Sequence, residues 1–189
     1  MPVAPKFVHV ALQTNQLAAM RDFYCTMLGA HVVYENGVTC FITFDEEHHR
    51  MAFFQPPQGQ LPERTPATVG LGHSSFTFPT LGELVEKYLE LREAGIKPRV
   101  PVQHGVTTSL YYRDPDGNGV ELQIDNFADA DEATAYMMGP EYAADPIGPS
   151  FDADALAKDY QAGVPEAELR SRAWAAATPQ LNVIELLTS

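Results

Sequence analysis

Hydrophobic and polar positions along the chain follow a pattern that occurs twice. Residues 7–12 (FVHVAL) alternate in the manner of a strand, and residues 73–78 (HSSFTF) do the same. Each is followed by apolar positions at helical spacing, over residues 17–28 and 81–91. Three short strand-like runs come after each of these helices. The pattern therefore predicts two β-α-β-β-β units, with an offset of 64 positions between them.

Turn and cap residues separate these elements. Gly29 and Gly95 come just after the two apolar helical stripes, where a glycine commonly ends a helix. Asn36-Gly37 predicts a tight turn between two strands, and residues 114–118 (DPDGN) predict another. Thr80 to Glu83 reads as a capping box, in which each side chain satisfies the other residue's backbone amide.

The pattern predicts an α+β fold in which the paired βαβββ units form a cup-shaped mixed sheet. We expect one domain over residues 1–126, with units at about 5–56 and 69–126. The breaker-rich residues 57–68 read as the linker between the units. Residues 127–189 are predicted to form an acidic, helical C-terminal extension that packs on the domain or on a neighbouring subunit.

The extension has two segments with helical potential, DADALAKDYQAG and PEAELRSRAWAA. Its charge is typical of a solvated helical face. The alternative is that an apolar group covers the cup as a substrate lid or packs on a neighbouring subunit. The members of that group are Tyr136, Met137, Met138, Tyr142 and Phe151. The apolar run NVIELL near the end predicts a docked rather than a free segment.

Charge restricts the possible partners. The 189 residues carry a net charge of −13, of which residues 1–124 contribute −4 and residues 125–189 contribute −9. Such an excess of acids disfavours nucleic acid, because phosphates attract Lys and Arg. No secretory signal and no apolar run of membrane-spanning length is apparent, so we expect no membrane association and a cytoplasmic location.

Strand parity places four chemically interesting side chains on the face opposite the helices: His9, His73, Tyr111 and Glu121. Two imidazoles and a carboxylate are the ingredients of a facial triad that suits Fe(II). The same donors also suit zinc, nickel or manganese. The alternative is that both histidines hydrogen-bond in the core while Glu121 lies at a solvated edge.

Four motifs resemble the vicinal oxygen chelate superfamily, which comprises glyoxalases, bleomycin resistance proteins and dioxygenases. The motifs are KFVHVAL, EEHHRMAFF, GLGHSSF and HGVTTSLYYRDPDGNGVELQ. Within the superfamily the chain is similar to the one-domain type I extradiol catechol dioxygenases. The resemblance implies that His9, His73 and Glu121 are metal ligands, that His49 is an acid–base, and that His104 and Tyr111 contact the substrate.

For the other two histidines, His31 and His48, we expect a structural or exposed position. The interval from His104 to Tyr111 is shorter than in the larger relatives. The match of His104 to the family's substrate-binding histidine therefore rests on less than the match of Tyr111.

The resemblance also implies the activity and its partners. We expect a Fe(II) cofactor, with Mn(II) possible, and cleavage of a catechol or 2,3-dihydroxybiphenyl-type diol by O2. A homo-oligomer is expected from the habit of the family. One alternative is a glyoxalase I-like lyase or isomerase, which would need a fourth ligand where the chain has Ala52, Phe53 and Gln55. Another is a metal-free small-molecule binding or resistance module.

Overall fold

The computed structural model describes residues 4–57, 60–65 and 69–188. Its strands are β1 Val10–Gln13, β2 His31–Glu35, β3 Thr39–Thr43, β4 Met51–Phe54, β5 His73–Thr77, β6 Val100–Gln103, β7 Thr107–Arg113 and β8 Gly119–Asp125. Its helices are α1 Leu17–Leu28, α2 Leu81–Glu93, α3 Ala130–Met137, α4 Pro140–Ala144, α5 Ala153–Gln161, α6 Glu166–Leu169, α7 Arg172–Ala176 and α8 Val183–Thr188. Parts of the predicted linker, 58–59 and 66–68, lie outside the described residues.

The two repeats have the same topology. Each forms a four-stranded mixed sheet, in the order β1-β4-β3-β2 and β5-β8-β7-β6. In each repeat the first strand pairs in parallel with the last, and the other pairs are antiparallel. The predicted α+β class, the two βαβββ units and the helical C-terminal extension are therefore confirmed.

The chain divides into two compact units. The first comprises the described residues up to Thr65 together with the turn Asp114–Asn118, and the second comprises the remainder. In the first unit the Tyr24 ring of α1 stacks on Phe53 of β4, with ring centroids 5.3 Å apart. The Tyr24 hydroxyl also donates to the buried Asp114 carboxylate at 3.0 Å. In the second unit α2 covers one face of the sheet, and its buried stripe includes Leu84 and Leu91.

Local differences from the predicted elements have physical causes. The first strand begins at Val10 rather than Phe7, because the carbonyls of Phe7 and Val8 accept hydrogen bonds from the Arg50 side chain. The capping box is formed in part. The Glu83 amide donates to the Thr80 hydroxyl, but the Glu83 carboxylate accepts from that same hydroxyl and not from the Thr80 amide.

The extension packs on the second unit. Ser150 bridges Val102 in antiparallel fashion, so the chain around it runs beside β6 as a short added strand. Helix α5 packs against α2, while α7 and α8 pack against β6. The single helix predicted for PEAELRSRAWAA is wrong, since it is divided into α6 and α7 where Ser171 caps the second helix.

Within the described residues, none of the helices has both the length and the apolar character needed to cross a membrane.

The close approach of the extension to β6 predicts a stability difference between two glycines. Gly148 has φ +87°, and a Cβ there would collide with the Gln103 carbonyl oxygen. Gly163 has φ +80° but open space around it. We expect Gly163→Ala to lower the free energy of unfolding by about 1 kcal/mol through backbone strain. Gly148→Ala should cost about 2–4 kcal/mol, because steric overlap adds to that strain. Urea denaturation measures both, and equal losses would contradict the close packing.

Candidate active site

A group of polar side chains lies on the face of the second sheet that α2 does not cover. Sheet register produces it, since Ser75 of β5 and Tyr111 of β7 are both direct neighbours of Glu121 on β8. His73 precedes Ser75 by two positions and shares its face. The His73 Nε2 atom lies 3.2 Å from a Glu121 carboxylate oxygen. The rings of His73 and Tyr111 meet edge to face, with centroids 5.4 Å apart.

The Glu121 carboxylate is ionised although it is buried. The residue is 4% exposed, and burial alone would raise its pKa. Hydrogen bonds with His73, Ser109, Ser75 and Tyr111 outweigh this desolvation and lower the pKa of Glu121 to about 2. The carboxylate in turn raises the pKa of His73, chiefly through the hydrogen bond between them.

His104 and Tyr111 form a second contact beside this carboxylate. His104 Nε2 lies 2.9 Å from the Tyr111 hydroxyl, although seven positions separate them in the chain. The short connection from β6 to β7 carries His104, and the Asn126 amide holds that connection by donating to Gln103 and to the Gly105 carbonyl. Burial lowers the pKa of the His104 imidazole and raises that of the Tyr111 phenol. Both pKa shifts favour the neutral forms of the two side chains.

His9 and His49 lie together in the first unit. Their ring centroids are 4.5 Å apart, and His49 also stacks on Phe41 at 4.8 Å. Arg50 fixes the backbone next to His9, because its guanidinium binds the Phe7 and Val8 carbonyls and the Asp45 carboxylate. Burial, followed by the neighbouring His48 and His9, lowers the pKa of His49.

The predicted site residues are thus found in two groups. His73, Glu121, Tyr111 and His104 come together in the second unit, and His9 and His49 come together in the first. Among the residues that the structure describes, no group of three or more His, Cys, Asp or Glu side chains is placed to hold a metal ion.

The donor pair in the second unit has a geometry that suits a metal ion. Two ligands held roughly 2.1 Å from one ion at right angles are about 3 Å apart. The 3.2 Å between His73 Nε2 and the Glu121 oxygen is close to that separation. Imidazole nitrogen and an ionised carboxylate are also the donor types that such ions bind. These two side chains fit a metal site.

Three polar residues of the site were not assigned a role from the sequence. Ser75 and Ser109 hydrogen-bond Glu121, and Arg50 holds the segment before β1. Parity along β5 and β7 puts both serines on the functional face and could have indicated them. Nothing in the sequence pattern indicates that Arg50 reaches the backbone of a segment 42 positions away. His31 and His48 are exposed.

Comparison with known proteins gives a family and two full-length relatives. Residues 6–122 match the Glyoxalase/Bleomycin resistance protein/Dioxygenase superfamily. The chain is 68% identical over 185 residues to biphenyl-2,3-diol 1,2-dioxygenase 3 of Rhodococcus globerulus, covering 98% of this chain and 97% of the relative. It is 56% identical over 191 residues to biphenyl-2,3-diol 1,2-dioxygenase 2 of the same organism, with 100% of both chains covered.

Among solved structures, the fold is similar to that of lactoylglutathione lyase from Agrobacterium tumefaciens. The TM-score is 0.50 at 25% identity, over 65% of this chain and 94% of that chain.

Two adjacent tyrosines of β7 predict opposite responses to loss of a hydroxyl. The Tyr111 hydroxyl bonds His104, whereas the Tyr112 hydroxyl is buried with no hydrogen-bond partner in the described part of the chain. We expect Tyr111→Phe to lower the free energy of unfolding by about 1–2 kcal/mol, because it leaves buried polar groups unpaired. Tyr112→Phe should leave it unchanged or raise it by up to about 1 kcal/mol, since it removes such a group. Thermal unfolding measures both variants, and a larger loss for Tyr112→Phe would contradict this assignment.

Proposed function

Because the chain belongs to the Glyoxalase/Bleomycin resistance protein/Dioxygenase superfamily, we propose that it is an extradiol dioxygenase that opens the ring of a 2,3-dihydroxybiphenyl-type catechol with O2. The observation that carries the proposal is the convergence of His73, Glu121, Tyr111 and His104 on one sheet face. Identity of 68% to a biphenyl-2,3-diol dioxygenase over nearly the whole chain supports the same activity.

The proposed cofactor is Fe(II), held by His9, His73 and Glu121. Three protein ligands of this kind leave positions for the two diol oxygens and for O2. When bound, such an ion supplies Lewis acidity to the diol and a route for electrons from the ring to dioxygen. The chain supplies a carboxylate that is already ionised, so no proton has to leave Glu121 before it can act as a ligand.

The other polar side chains are proposed to manage protons and orient the diol. The Tyr111 hydroxyl and His104 Nε2 are 2.9 Å apart, which is within reach for a proton to pass between them. Either side chain can hydrogen-bond a substrate oxygen, and the His104 imidazole can take up its proton directly or through the Tyr111 hydroxyl. His49 is the proposed second acid–base, since an imidazole can accept and return a proton near neutral pH.

Two alternative functions are less well supported. A glyoxalase I-like lyase would need a fourth ligand from the last strand of the first unit. Ala52 and Phe53 of that strand are buried and have no side-chain atom that binds a metal. The side-chain oxygen of Gln55 already accepts a hydrogen bond from the backbone amide of Leu17, at the start of α1. A metal-free binding module would have no need of an ionised, buried Glu121 beside His73.

Turnover of a catechol tests the proposal directly. Protein reconstituted anaerobically with Fe(II) should consume one O2 per biphenyl-2,3-diol and give a yellow ring-opened product. Protein reconstituted with Zn(II) is the control, because zinc has no redox chemistry and should give no oxygen uptake. Stoichiometric oxygen uptake with an oxygen electrode, together with the yellow absorbance, is the expected result. Metal-loaded protein that takes up no oxygen with any catechol would exclude the function.

Substitution of the proposed ligands should separate metal binding from acid–base function. His9→Ala, His73→Ala and Glu121→Ala should each lose bound metal and lower kcat/KM by at least about 100-fold. His49→Ala should retain metal and lower kcat by about 100-fold or more, in the range of a lost acid–base group. The exposed His31→Ala is the matched control and should alter neither. Metal analysis by mass spectrometry with steady-state kinetics measures these effects. Full metal content in all three ligand variants would refute the triad.

A further inference from the structure

The last helix of the chain covers part of the functional face of the second sheet. Val183 of α8 is buried in one cluster with Val100, Val102 and Tyr111. Leu186 and Leu187 pack against that cluster and are themselves half-buried. Tyr111 belongs to the proposed catalytic group, so α8 lies directly beside it.

A small cavity separates α8 from the site. It has a volume of about 100 Å³, and its lining includes His73, Tyr111, Leu186 and Leu187. The same pocket is therefore bordered by a proposed metal ligand, a proposed substrate contact and two leucines. Sites for drug-sized ligands commonly enclose about 300–1,000 Å³. At about 100 Å³ the pocket would have to widen or extend to hold a two-ring diol.

The chemistry of the wall indicates which part of a ligand it would contact. The leucine side chains offer no hydrogen bond, so they favour an uncharged aryl or alkyl substituent. Arg99 and Arg113 also border the cavity, but both already take part in other interactions. An anionic substituent would have to compete for them.

We propose that Leu186 and Leu187 of α8 form the apolar wall of the substrate pocket and select catechols that carry an apolar ring substituent. This inference rests on the proposed function. The diol end of the substrate lies at His73, Glu121 and Tyr111, and the substituent lies against α8. The sequence offered a different apolar group as a possible lid, and one of its members, Phe151, is buried in contact with Trp174.

The test compares two substrates in the full-length, metal-loaded protein. The variant is Leu186→Ala/Leu187→Ala, and the matched control is Ile184→Ala on the same helix, where the side chain is 60% exposed. The ratio of kcat/KM for biphenyl-2,3-diol to that for unsubstituted catechol should fall at least tenfold in the double variant. It should change less than twofold in the control. Tenfold corresponds to about 1.4 kcal/mol, less than the transfer of two methylene groups.

Anaerobic calorimetry gives a readout that is independent of turnover. The Kd of biphenyl-2,3-diol should rise at least tenfold in the double variant, while that of catechol stays within twofold. If the double variant does not fold by circular dichroism, Leu187→Trp takes its place. By filling the pocket, it should lower the same ratio at least tenfold.

Each other outcome would overturn the proposal in a distinguishable way. An equal loss for both substrates would mean that α8 only stabilises the sheet. If wild type and the double variant both preferred a carboxylated catechol, Arg99 and Arg113 rather than the leucines would determine which substituent binds. Wild-type protein that binds and cleaves neither diol would refute the proposed function and the wall together. Wild-type turnover with an unchanged ratio in the variants would refute the wall alone.

Discussion

The structure of the site depends on keeping the Glu121 carboxylate ionised in a buried position. Burying a charge is costly unless it is paired and hydrogen-bonded. Here the donors come from both neighbouring strands. Parallel pairing of β5 with β8 supplies His73 and Ser75, and antiparallel pairing of β7 with β8 supplies Tyr111 and Ser109. A shift of one residue in either register would turn these groups to the helix-covered face. The hydrophobic pattern produces the mixed sheet, and the buried Glu121 carboxylate depends on both of its strand pairings for hydrogen bonds.

The same backbone design carries different chemistry in its two copies. Each repeat has a histidine at the beginning of its first strand or directly before it, yet the surroundings of His9 and His73 differ. His73 contacts a carboxylate, whereas His9 contacts the His49 ring and follows a segment whose carbonyls bind Arg50. Packing against the helices constrains the apolar faces of the two sheets in the same way. The opposite faces are free of that constraint, so the two repeats can carry different polar side chains there.

The parts of the fold that the sequence predicted correctly come from local patterns of apolar and polar residues. Period-two alternation located the strands, and parity alone put His73, Tyr111 and Glu121 on one face. What could not be predicted depends on contacts between distant segments. The Arg50 side chain, from the residue before β4, binds the backbone ahead of β1. The Gln55 side chain accepts a hydrogen bond from the Leu17 amide, and α8 lies beside Tyr111 although about 70 positions separate them. No local pattern encodes such contacts. The choice of Fe(II) over Mn(II) and the homo-oligomer remain predictions, because ligand types suit several metals and oligomerisation depends on surfaces.

Several acidic residues of the C-terminal extension cap its helices or form ion pairs. Asp129 and Asp152 cap α3 and α5, because their carboxylates accept hydrogen bonds from backbone amides in the first turn of each helix. Asp154 accepts from the Tyr88 hydroxyl at 2.7 Å and pairs with Arg92, both on α2. Asp145 pairs with Arg172 at 2.9 Å. Each exposed ion pair contributes little by itself, but these pairs join buried contacts such as Phe151 with Trp174. The acids thus help to fold the extension back onto the second unit, and that return path is what brings α8 beside Tyr111.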